Sequence, residues 1–105
     1  MMSERELQRE VLRLARFGGW VAFHAYDAKR VVAGWPDLVL IRPPEFVVVE
    51  LKTERGRLTE DQAFLLAKFD ACGIETHVWT PTNLPDARDR LRARAAQPQR
   101  SPRLP

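Results

Sequence analysis

The segment GWPDLVLIRPPEFVVVELK, residues 34–52, constrains the fold more than any other part of the chain. It holds two short runs, DLVLI and FVVVELK, rich in β-branched and aromatic residues, which is the composition of strands. Only Arg42-Pro43-Pro44-Glu45 separates them, so the two strands pair as a hairpin through a tight turn. The second run is almost continuously apolar, as a strand is when it is buried on both faces in the middle of a sheet.

The flanking segments supply the remaining elements. SERELQREVLRLARFGG predicts an amphipathic helix, with Ser3 as N-cap, Gly18-Gly19 as stop, and Leu7, Val11, Leu14 and Ala15 as its buried stripe. WVAFHAY predicts a strand, followed by a loop from Asp27 to Trp35. After a break at ERGRL, a second helix is predicted from Thr59 to Gly73, and ETHVWT predicts a last strand. The order α-β-β-β-α-β implies an α/β fold, a mixed central sheet flanked by helices. At 105 residues the chain has material for one domain and one active site. That domain is expected over residues 1–84. Residues 85–105 are expected to be an Arg/Pro-rich, partly disordered C-terminal tail, with room for a short helix at 86–96.

Charge narrows the function only when it is located. The chain carries +3, but six arginines against two aspartates put the last twenty residues at +4, while residues 1–85 hold eleven basic and twelve acidic groups and stand at −1. A near-neutral body that handles a polyanion needs its cations gathered on one face, or a bound metal ion to add positive charge. The opening residues MMSERELQRE are too charged for a leader or a membrane span, so a cytoplasmic home is expected. A lone cysteine and two histidines exclude an internal disulfide and a zinc cluster, and Cys72 is expected to be a small buried residue. Trp20, Trp35 and Trp79 are expected in the core or at an interface, with exposure open for Trp35.

The chemistry is concentrated in the hairpin. Side chains alternate along a strand, so Glu50 and Lys52 project from one face, about 6–7 Å apart, while Leu51 points the other way. Pairing through the short turn brings Asp37, at the start of one strand, level with Glu50 at the end of the next. Two carboxylates at one place offer the oxygen ligands that Mg²⁺ takes beside its waters, and Mn²⁺ is an alternative. A phosphodiester hydrolase needs an activated water and a cation facing the charge that develops on the phosphate, and Lys52 adds a second cation there. The bland alternatives are a turn aspartate for Asp37 and solvated strand-end charge for Glu50 and Lys52.

GWPD, then ELK with twelve residues between Asp37 and Glu50, then GRLTEDQ, together resemble the VRR-NUC branch of the PD-(D/E)xK nucleases, over roughly residues 4–80. The resemblance implies a restriction-endonuclease-like core and a site of Glu4, Asp37, Glu50, Lys52 and Gln62, with the Leu51 carbonyl as a further metal ligand. It also implies DNA as partner, expected to be branched, a Holliday-junction-resolvase-like homodimer, and a viral or bacterial source. Phase with the buried stripe selects Glu4 over Glu6 and Glu10, although an acidic residue is also favoured there by the helix dipole. Gln62 also completes the capping box Thr59-Glu60-Asp61-Gln62. Where many members carry an arginine, this chain has His24, followed by Tyr26. Lys29, Arg30, Arg55 and Arg57 flank the site as candidate DNA-contact residues, with surface solubility as the alternative for each. Flap or single-strand cleavage, nicking, and a non-catalytic DNA-binding module stay open beside junction cleavage.

Overall fold

A computed structural model describes residues 1–25 and 32–93 of the chain. Ser3 opens α1 (Glu4–Phe17): its hydroxyl accepts from the Glu6 N–H at 3.1 Å, and the Glu6 carboxylate accepts in turn from the Ser3 N–H. Leu7, Val11 and Ala15 are fully buried along the helix, and Leu14 packs at the margin of the same core.

The strands β1 (Val21–His24), β2 (Leu38–Arg42) and β3 (Glu45–Leu51) form an antiparallel meander, with Arg42 opposite Glu45 at the Pro43-Pro44 turn and Leu38 opposite Val49 at the far end. Helix α2 (Glu60–Ala71) carries the chain over, so that β4 (Glu75–Trp79) lies parallel to β3 and completes a four-stranded mixed sheet in the order β1-β2-β3-β4. Strand β3 is interior, as its composition required, with every residue from Val47 to Leu51 buried. Leu38, Leu40, Val47, Val49, Leu51 and Trp79 join the α1 stripe in one core on one side of the sheet. The alternate residues Val48 and Glu50 are fully buried on the other side.

Beyond β4 the short helix expected at 86–96 forms two residues earlier and packs into the core. A 3-10 turn at Pro81–Asn83 leads into α3 (Leu84–Leu91), whose Ala87 and Leu91 are fully buried against the α1 stripe. The sparse apolar surface of this segment suggests a tail, yet two apolar residues four apart suffice because polar contacts hold the end of the helix. The Trp20 indole donates to the Leu91 carbonyl at 2.9 Å, and Arg42 donates to the Gly18 and Arg92 carbonyls, each at 2.9 Å, with its guanidinium 4.3 Å from the centre of the Trp20 ring. Arg90 bridges Glu45 and Glu75. Arg42 and Arg90 therefore hold the fold together. Residues 94–105 lie outside the described part.

Cys72 also differs from expectation: it is exposed, standing as the C-cap of α2 where the last turn faces solvent. Trp20 and Trp79 are core residues, as expected, and Trp35 is half-buried, edge-on to Phe69 at 5.5 Å. No described helix is long and apolar enough to cross a membrane.

Candidate active site

The hairpin register brings the two carboxylates together. With Leu38 opposite Val49, the residues beyond them, Asp37 and Glu50, come level at one end of the sheet. Both are buried, Asp37 to 3% exposure and Glu50 to zero. Asp37 is fixed by the chain it faces: its Oδ2 accepts from the Leu51 N–H at 2.8 Å. A hydrogen bond of this kind holds a carboxylate in one orientation and satisfies a buried backbone donor at the strand end.

Glu50 is oriented from the other side by Gln62. The sequence offered two roles for Gln62, helix cap and site residue, and its side-chain amide caps the helix while also reaching Glu50. The Oε1 atom accepts from the Thr59 N–H at 2.9 Å, the Gln62 N–H donates to Thr59 Oγ1 at 3.1 Å, and the Nε2 atom donates to Glu50 Oε1 at 3.3 Å. The start of α2 is thereby tied to the site.

The glycine of GWPD makes this approach possible. Gly34 has φ +84°, and a Cβ placed there would stand 2.3 Å from the Asp61 carbonyl oxygen and 2.7 Å from the Gln62 nitrogen. Only a residue without a side chain lets the loop before β2 lie against the first turn of α2. Trp35 seals the same junction through Phe69, and Pro36 is fully buried beneath it.

Lys52 follows β3 directly, half-buried, with its backbone N–H donating to the Trp79 carbonyl at 3.0 Å. Arg55 and Arg57 are exposed in the loop between β3 and α2, which Glu54 pins by accepting from the Thr82 N–H and hydroxyl, both at 2.6 Å. Lys29 and Arg30 fall outside the described residues.

On α1 the three glutamates separate cleanly. Glu6 closes the capping box and Glu10 pairs with Arg13, whereas Glu4 lines a cavity of about 540 Å³ together with Asp37. The same cavity is lined by Arg5, Gln8 and Arg9, which no motif singles out, and by His24, whose Nδ1 lies 3.4 Å from the Gln8 amide nitrogen. The available signal was spacing, since residues 5, 8, 9 and 12 share one flank of the helix. Among the described residues no group of three or more His, Cys, Asp or Glu side chains stands close enough to hold a metal ion. Asp37 and Glu50 are level in the sheet register, and Glu4 shares the lining of the cavity with Asp37.

The VRR-NUC domain matches this chain over residues 2–82. No curated protein gives a match. Among solved structures, Hjc of Archaeoglobus fulgidus, a Holliday junction resolvase from an archaeal hyperthermophile, is 22% identical, with a TM-score of 0.49, covering 74% of this chain and 65% of that one.

Proposed function

The chain belongs to the VRR-NUC domain family, and from that membership in a nuclease family we propose a Mg²⁺-dependent endonuclease that hydrolyses phosphodiester bonds in branched DNA as a homodimer. The observation that carries the reading is the pair of buried carboxylates, Asp37 and Glu50, each held by a hydrogen bond, with Lys52 two residues beyond Glu50. Two buried carboxylates level at one sheet end form a donor set for a hard cation. Their hard oxygen donors, with the Leu51 carbonyl beside them, suit Mg²⁺, which takes one or two carboxylates and keeps several waters; Mn²⁺ accepts the same set. When bound, such an ion acts as a Lewis acid on the phosphate and lowers the pKa of a bound water.

The chain's own residues do the rest. Leu51 N–H and Gln62 keep the two carboxylates in place, Lys52 orients the attacking water and offsets negative charge developing on the phosphate, and Glu4 acts at a distance through water. Cutting both strands of a junction symmetrically requires two such sites related by a two-fold axis. One sheet face supports this reading, because Val21, Phe23 and Phe46 lie on it at 68%, 56% and 41% exposure, and Phe64 on α2 is 63% exposed. Apolar surface of that kind marks an interface, and a second copy is the occupant proposed here.

The test is incubation of labelled four-way junction, flap, duplex and single-stranded DNA with the protein in Mg²⁺, in EDTA, and as Lys52→Ala. Paired, metal-dependent nicks in the junction that disappear with the variant are expected. Preferential flap or single-strand cutting would replace the substrate assignment, and an absence of cutting by protein that binds junctions would leave a binding module.

A further inference from the structure

The cavity beside the carboxylates has a wall that the proposed chemistry does not use. From α1 it receives Glu4, Arg5, Gln8, Arg9 and Leu12, and from β1 and the residues beyond it His24, Ala25 and Asp37. At about 540 Å³ it falls in the range of cavities that hold ligands.

Arg5 and Arg9 differ from the arginines that stabilise the fold. Arg13, Arg42 and Arg90 each pair with a carboxylate, whereas among the described residues Arg5 and Arg9 make no ion pair and no side-chain hydrogen bond, and both are exposed. They are four residues apart, one helical turn or about 6 Å along the axis, on the same flank of α1. Two cations so spaced match consecutive phosphates of one strand better than a single compact anion. The inner end of the wall is held by the Gln8–His24 contact.

Resting on the nuclease reading above, we propose that the cleft between α1 and β1 holds the DNA strand next to the cut, with Arg5 and Arg9 each neutralising one backbone phosphate. The cleft then sets the direction in which the strand leaves the carboxylates. It places sequence-independent contacts on the first helix, in addition to those expected from the loops.

The test is binding of a fluorescently labelled four-way junction, measured by anisotropy in EDTA at four or five salt concentrations, for wild type, Arg5→Gln, Arg9→Gln, the double variant and Arg16→Gln. Removing one cation from a phosphate lowers the slope of log K against log salt by about 0.9 on duplex arms. We expect each single variant to lose about one unit of slope, the double variant about two, and Arg16→Gln, which removes the same charge from the same helix outside the cleft, to keep the wild-type slope. Arg5→Lys and Arg9→Lys should restore it. A double variant with the wild-type slope, or an Arg16→Gln loss as large as the others, overturns the assignment. The nuclease reading is scored separately by cleavage in Mg²⁺. Loss of slope in the cleft variants of a wild type that cuts nothing supports the cleft and removes the nuclease, while cutting by wild type with unchanged slopes does the reverse.

Discussion

Gly34 and Gly19 provide an internal comparison in which one term can be separated from another. Their φ angles are +84° and +82°, so alanine at either position incurs the same conformational cost, about 1–2 kcal/mol for an L-residue held in the left-handed region. At Gly19 an added methyl meets nothing within 4 Å, and at Gly34 it meets the Asp61 carbonyl at 2.3 Å. Relieving that overlap means moving the loop and α2 apart by roughly an ångström, an overpacking cost of about 1–3 kcal/mol more. The Gln62–Glu50 hydrogen bond, already 3.3 Å long, does not survive such a shift. With a urea m-value of about 1–1.5 kcal/mol/M for a small domain, Gly19→Ala should lower the unfolding midpoint by about 1 M and Gly34→Ala by about 2–3 M. Urea titrations followed by tryptophan fluorescence measure both, and cleavage per folded molecule measures the site: Gly19→Ala should keep it and Gly34→Ala should not. Equal midpoints for the two variants would refute the claim that close approach, rather than backbone angle, explains the glycine of GWPD.

Asp37→Asn should fold normally, since an amide oxygen can still accept from the Leu51 N–H, yet lose cleavage by more than about 100-fold; circular dichroism and the junction assay separate the two. Leu91→Ala should cost about 2–5 kcal/mol because the side chain is fully buried, and a chain ending at Asn83 should fail to fold cooperatively in a thermal melt. In acid, the Arg90 hydrogen bond, aided by His77, holds the Glu75 carboxyl at about 2, below its ordinary 4.5, against the opposing effect of burial. Because the folded value is the lower one, this contribution to stability is complete above about pH 4.5 and fades as pH falls toward 2. Arg90→Gln should therefore flatten the loss of stability over that window in pH-dependent urea unfolding. Phe23→Glu should shift sedimentation toward the monomer if a second copy covers the exposed sheet face.

Much of this architecture was legible in the residues because the signals were local. The four-residue turn set the register that levels Asp37 with Glu50, the apolar run of β3 marked it as interior, and Ser3 and Thr59 mark helix starts that the structure keeps. What escaped depended on contacts between distant segments. A short helix near 86–96 was legible, but not its docking into the core: α3 shows only Ala87 and Leu91 there, and it is held by Trp20 and Arg42, more than forty residues earlier. The exposure of Cys72 escapes a reading by residue type, which says little about burial at a helix end. Gln62 posed a choice between capping and chemistry that only three dimensions remove, since one amide has two ends. Arg5 and Arg9 resemble ordinary solvated charges in the sequence, and it is β1 that closes a cavity against them.

That two-ended amide makes the backbone of α2 a spectroscopic reporter. Any ligand that draws on the Glu50 carboxylate also pulls on Gln62 Nε2 and, through the rigid amide plane, on the oxygen that accepts from Thr59. The Thr59 and Gln62 amide resonances should therefore shift together as the site fills, and their proton exchange should slow or quicken as a pair. Occupancy could then be followed by nuclear magnetic resonance from a helix cap, without labelling DNA and without waiting for a bond to break.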